Sequence, residues 1–198
     1  MVVGVVGVGF GLHHARVGTH GRHVPVVPIK AADEQPLSGK TLFDDILGGD
    51  WPKDGLDGYE PQQIPDTVRE AGIVGLGGAA FPTHVKLTRN PEKPIQTLLI
   101  NGCECEPYLT SDYALMMEAP AAIITGALVA QRATGAADVI ICIENNKLDA
   151  AERLRDAAAG TGIQIRILHT KYPQGGEKQL TIAVLGKEVP TGGLPLDV

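Results

Sequence analysis

The chain has 198 residues, 43% of them apolar and only 4% aromatic, with 25 glycines and a net charge of −6. That length and apolar content allow one good-sized domain with a small appendage, and the acidic balance excludes a nucleic-acid footprint. No basic run suits an anionic lipid surface, and three cysteines, Cys103, Cys105 and Cys142, are too few for a disulfide scaffold.

Residues 1–63 are rich in glycine and proline, with valine runs at 2–8 and 24–29 split by turn residues. They read as a β-rich or irregular N-terminal segment. The opening VVGVVGVGFGLHHARVG imitates the start of a dinucleotide-binding βαβ unit, but its spacing fails. From Gly7 the third glycine should fall at Leu12, from Gly9 at His14, and a start at Gly4 needs a glycine where Val6 stands. The histidines His13, His14, His20 and His23 have no carboxylate or cysteine partner in register, so they read as surface or loop residues rather than metal ligands. The apolar opening lacks the basic n-region and A-x-A-like site of a signal peptide. Residues 50–58, DWPKDGLDG, are a cluster of breakers and predict a loop.

From residue 64 the pattern becomes an alternation of helices and strands. Residues 65–72 predict a short helix with an early proline and a terminal glycine. GIVGLGGAAFPTHVKL at 72–87 then places Gly72, Gly75, Gly77 and Gly78 within seven positions, ahead of Pro82, which suits a first helical turn. A glycine loop entering a helix N-terminus is an anion site, and Lys86 can add a point charge. The short apolar run Thr97–Asn101 predicts a buried strand, followed by NGCECEP at 101–107. Ser111–Glu118 and Pro120–Thr134 predict helices, the second stopped by Gly135. The weakly polar stretch at 119–130 is shorter than the roughly 18–20 residues of a membrane span. Asp138–Glu144 predicts a second buried strand with Cys142 as an inert core residue. A helix over 146–159 carries Leu148, Ala151, Leu154 and Ala158 on one face, and IQIRIL at 163–168 predicts a third strand with one polar face. Strand–helix–strand–helix–strand with short links gives a layered, mostly parallel α/β sheet, whose ligands sit beyond the carboxyl ends of the strands. Residues 101–106 and 169–177 both fall there.

GLGGAAFPT, NGCECEPY and KYPQGGEKQL, in that order, resemble the flavin-binding region of the C subunit of the Rnf-type ion-translocating electron-transport complex. They are more distantly similar to the NADH-oxidising flavoprotein subunit of respiratory complex I, whose motifs read GRGGAGFPTG, N-x-D-E-x-E-P-G and Y-x-x-G-E-E. Propanediol-utilisation cobalamin reductases share the module. The resemblance covers residues 64–198. It implies an FMN- and NADH-binding α/β domain over that span, ending before the β-grasp and ferredoxin-like regions of the family. It further implies that Gly75, Gly77, Gly78 and Lys86 hold the flavin phosphate and ribityl groups, with Phe81 near the nicotinamide nucleotide. Asn101, Glu104 and the backbone of Cys103 and Cys105 would meet the ring edge. Glu106 and Glu177 would contact NADH, with Tyr172 and Gly175 completing the third motif.

Two positions depart from the complex I pattern: Leu76 stands where an arginine would, and Gly176 replaces the first glutamate. The implied reaction is hydride transfer between NADH and FMN, then one-electron transfer to iron–sulfur centres outside this chain, since three cysteines cannot supply four thiolates. It requires no acid–base residue and no metal ligand from this chain. The implied partners are other subunits of a membrane electron-transport complex, on the cytoplasmic face of the inner membrane. No membrane insertion by this chain itself is implied. Two alternatives stand beside this reading: a scaffold module that has lost its cofactor, or a cobalamin-reductase flavoprotein.

Overall fold

A computed structural model describes residues 5–8, 13–17, 22–26, 29–31, 39–75 and 80–198. They form two compact units, Met1–Gly49 and Asp50–Val198. The first holds strands β1 (Val5–Val8), β2 (His13–Val17), β3 (Arg22–Val26) and β4 (Ile29–Ala31), then helix α1 (Gly39–Leu47). β1 pairs antiparallel with β4, and β2 with β3. The segment is therefore β-rich, and the antiparallel pairing of β1 is incompatible with a βαβ unit. His13, His14 and His23 stand in strands rather than in loops. The valines beside them (Val17, Val24, Val26) favour an extended backbone that histidine does not oppose. His20 lies outside the described residues.

The second unit is built on three parallel strands, β5 (Thr97–Asn101), β6 (Asp138–Glu144) and β7 (Gln164–Leu168), in the order β5-β6-β7. β6 is the centre, and all but its first residue are buried, as expected of a parallel strand covered on both faces. Period-two alternation sorts its side chains. Val139, Ile141 and Ile143 pack into a core with Ile124, Ala127, Ala150, Ala151 and Leu154, while Ile140 and Cys142 pack with Cys103, Leu168 and Leu180. The first core is covered by helices α4 (Ser111–Glu118), α5 (Pro120–Thr134) and α6 (Leu148–Ala158), the second by α7 (Glu177–Leu185). Small alanines on α5 and α6 let these helices approach closely. Ile165 and Ile167 of β7 reach the first core while Gln164 and Arg166 stay exposed, so the expected polar face is present.

α5 ends at Gly135, whose φ of +74° is the left-handed C-cap geometry. Arg89 donates from Nε to Ala133 O and from Nη2 to Arg132 O, both at 2.8 Å, and so satisfies the last carbonyls of that helix. The 50–58 loop is fastened to α5: Thr125 Oγ1 donates to Pro52 O at 3.0 Å, and Arg132 donates to the carbonyls of Tyr59 and Asp57 at 3.1 Å. Residues 50–63 thus pack with the α/β unit.

The helix expected at 65–72 runs over Gln63–Glu70, named α2, and Gly72 follows it at φ +67°. Leu148, expected on the buried face of α6, is 53% exposed, whereas Ala151, Leu154 and Ala158 are buried. Leu148 is the first residue of the helix, and the tilt of each Cα–Cβ bond toward the N-terminus carries its side chain past the end of the packed layer. Among the described residues no single helix is long and apolar enough to cross a membrane; α4 and α5 together would be, but they are bent by 99°.

Candidate functional site

Three loops meet at the carboxyl end of the sheet. The loop after β5 begins with Gly102, whose N–H donates to Cys142 O at 2.8 Å. A Cβ there would stand 2.9 Å from that same oxygen, so only glycine lets the chain lie this close to β6. The loop after β7 is tied to it twice. Asn101 Nδ2 donates to Gly175 O at 2.9 Å, and a Cβ on Gly175 would lie 2.6 Å from Cys103 O and 3.4 Å from Cys105 Sγ. The second and third motifs are therefore in backbone contact.

The first motif folds back on itself: Val74 and Pro82 form an antiparallel bridge, and Gly75 N donates to Phe81 O at 2.8 Å. Gly77 and Gly78, as well as Leu76, lie outside the described residues. Pro82 sits at the N-cap, with an extended ψ of 119°, rather than inside the first turn. The helix it opens, α3 (Thr83–Leu87), has five residues, so its dipole adds little to anion binding. The anion reading then depends on the loop amides and on Lys86. Lys86 reaches the third motif, with Nζ 3.9 Å from Glu177 Oε1, and lies 5.7 Å from the centroid of the Phe81 ring. Both members of the Lys86–Glu177 pair are more than half exposed, so it contributes little stability and leaves the cation accessible.

One residue of the second motif is spent on the fold, and a second, exposed one is partly engaged in it. Glu104, read from the sequence as a contact to the flavin edge, is buried, with its side chain 1% exposed. Its Oε1 accepts from Asp112 N at 2.7 Å, and its Oε2 from Tyr113 N at 3.2 Å and Lys147 Nζ at 2.6 Å. The carboxylate caps the first turn of α4 and pairs with a nearly buried lysine, which accounts for its lone pairs. Asn101 also bridges, accepting from Cys103 N at 3.2 Å while donating to Gly175. Cys103 is buried, and its thiol is pushed up to about 12 by desolvation and then by the charge of Glu144, which keeps it protonated. Cys105 is partly exposed. The exposed rim groups include Phe81, Lys86, Glu106, Tyr172 and Glu177, beside the exposed Asn101.

Three residues beneath the loops were given no role by the motifs, although Gln174 lies inside the third of them. Lys147 is the counter-charge of Glu104. Glu144 ends β6 with its Oε2 buried and without a hydrogen-bond partner, and Gln174 Nε2 is buried and unpartnered likewise. The only trace of Glu144 in the sequence is a carboxylate closing an apolar strand run. A groove of about 480 Å³ between residues 53–57, Arg89 and the end of α5 lies at the opposite, amino end of the sheet. Its arginines are already committed to main-chain carbonyls, and it takes no part in the convergence of motifs.

Similarity to known proteins follows the same residues. The chain is 47% identical over 131 residues to the C subunit of the proton-translocating ferredoxin:NAD(+) oxidoreductase complex of Clostridium ljungdahlii, covering 66% of this chain and 29% of that one. It is 46% identical over 182 residues to the C subunit of the Na(+)-translocating ferredoxin:NAD(+) oxidoreductase complex of Acetobacterium woodii, covering 84% and 40%. The chain thus spans less than half the length of these relatives. Among solved structures, chains of an NAD+-reducing NiFe hydrogenase superpose with TM-scores of 0.61 in the air-oxidised state and 0.59 in the H2-reduced state, both at 26% identity. These matches cover 72% and 76% of this chain, and 27% and 29% of the hydrogenase chains. Residues 68–198 match the Nuo51 FMN-binding domain, the span that holds all three motifs. The resemblance read from those motifs is thereby established, and the chain belongs to the Nuo51 FMN-binding domain family.

Proposed function

We propose that residues 64–198 are the flavin-binding module of an Rnf-type electron-transport complex, holding FMN at the carboxyl end of the β5-β6-β7 sheet and accepting hydride from NADH. The observation that carries this reading is the meeting of three separated motifs at that end: Lys86 with Glu177, Asn101 with Gly175, and Gly175 against Cys103. The donor set fits an anionic, planar ligand. Lys86 supplies an accessible cation, Phe81 and Tyr172 present exposed aromatic faces, and Glu106 and Glu177 present exposed carboxylates for a nucleotide, that of Glu177 3.9 Å from Lys86. Gly75, Gly77, Gly78 and Lys86 would hold the phosphate and ribityl groups. Asn101 and the backbone of Cys103 and Cys105 would face the ring edge; Glu104 would act indirectly, by fixing the loop that carries them.

FMN, when bound, supplies the conversion of a two-electron hydride donor into one-electron steps. The chain's own contribution is placement: the Asn101–Gly175 bond keeps the two loops in register, and the buried Glu104–Lys147 pair keeps the loop after β5 on α4. Onward electrons would leave to iron–sulfur centres outside this chain. By the same reading its partners are the other subunits of a membrane complex, on its cytoplasmic face.

Titration of the chain with FMN, followed by loss of flavin fluorescence, tests the reading. Gly77→Val and Gly78→Val should abolish binding. Glu106→Ala and Glu177→Ala should slow reduction by NADH, with ferricyanide as the terminal oxidant, and leave FMN affinity nearly unchanged. Equal titration by wild type and both valine variants would move the flavin elsewhere, and no binding by any of them would favour the scaffold alternative.

A further inference from the structure

The carboxyl end of the central strand carries a buried acid that no motif marks. Glu144 is 1% exposed, and its Oε2 has no hydrogen-bond partner among the described residues. Gln174, on the loop after β7, is also 1% exposed, and its Nε2 lacks a partner. An orphan buried acceptor and an orphan buried donor are each costly to a fold and call for an explanation. Both stand where the two ligand-facing loops meet. Glu144 and Gln174 lie beside the same residue: the backbone N–H of Lys171 favours the charged form of Glu144, and Gln174 N donates to Lys171 O at 2.8 Å. The backbone N–H of Glu104, on the other loop, also favours the charge on Glu144. A single carboxyl group thus touches both the loop after β5 and the loop after β7.

We propose that Glu144 is the positioning residue of this site, a carboxyl group that joins the two loops through the Glu104 and Lys171 amides and whose proton sets the charge presented to an anionic ligand. Its surroundings are mixed. Desolvation by burial is the largest influence and raises its pKa, Lys147 and the Lys171 and Glu104 amides pull it back, the Glu104 charge adds to the rise, and the Cys103 thiol of the loop after β5 feels its charge in turn. From the opposite side α7 contributes Leu180 and Val184 to the same face, which add no charge. With Lys147 already held by Glu104, ionising Glu144 leaves an uncompensated negative charge under the loops. An anionic ligand binds more weakly then, and more tightly when Glu144 carries its proton.

The proposal rests on the flavin reading only for the identity of the anion, and the experiment separates the two. The amide resonances of Glu104 and Lys171 are followed by NMR in the ligand-free chain as pH is raised from about 4 to 9, in wild type and in Glu144→Gln. FMN affinity is measured over the same range. Wild-type amides should shift together with one midpoint, and the glutamine variant, which keeps the shape and an acceptor oxygen, should lose that titration. Wild-type FMN affinity should fall roughly fivefold more than that of Glu144→Gln across the midpoint, a comparison that cancels the ionisation of FMN itself. Amides that do not titrate in wild type, or that titrate equally in the variant, would overturn the proposal even if FMN binds. Loss of FMN binding at every pH, with the amides titrating only in wild type, would overturn the flavin reading and leave the role of Glu144 standing.

Discussion

Replacing Lys147 by methionine gives the most direct measure of how the site is held. The lysine is 11% exposed and the Glu104 carboxylate 1%, at 2.6 Å, so the substitution keeps the volume and removes the only cation paired with Glu104 among the described residues. Breaking a buried pair by deleting one partner costs about 3–5 kcal/mol, because a charge is left without compensation. Glu144, which Lys147 also favours in its charged form, changes in the same direction. Lys147→Met should therefore lose about 3–5 kcal/mol relative to wild type, measured by urea unfolding of the whole chain at pH 7. A loss under about 1 kcal/mol, the range of an exposed ion pair, would refute the reasoning.

Gly175→Ala places a methyl group 2.6 Å from Cys103 O, so the loops must separate; stability should fall by about 1–3 kcal/mol and FMN titration should show weaker binding. Arg89→Met removes both side-chain donors from the end of α5 and should cost about 1–3 kcal/mol in urea unfolding without changing FMN affinity. At alkaline pH, burial raises the thiols of Cys103 and Cys142 from 9.0 to about 12 and about 11, so the unfolded thiols ionise first. The stability they contribute is whole below pH 9 and is lost as pH rises through 11 and 12. Melting temperatures between about pH 8 and 11 should fall, and less steeply in Cys142→Ala.

Patterning along the chain determined the strands and helices of the second unit, because parallel strands covered on both faces leave long apolar runs such as DVIICIE. Strand order placed the second and third motifs at the carboxyl end of the sheet, because a parallel topology brings every strand-to-helix loop to one end, whereas the first motif, which precedes β5, joins them only through the tertiary approach of Lys86 to Glu177. Side-chain commitments were another matter. Glu104 sits in a motif and looks like a ligand group, yet its oxygens are taken by the amides of Asp112 and Tyr113 and by Lys147, residues eight to forty-three positions away. Leu148 fits a helical stripe but falls at a helix start, where no neighbour covers it. Glu144 and Lys147 fall outside the motifs, and Gln174, though inside the third, is not one of its matching positions. Periodicity records only which face an element buries, whereas hydrogen-bond partners distant in sequence are chosen when the elements pack. Tertiary structure alone decided which carboxylates are spent on the fold and which remain free for a ligand.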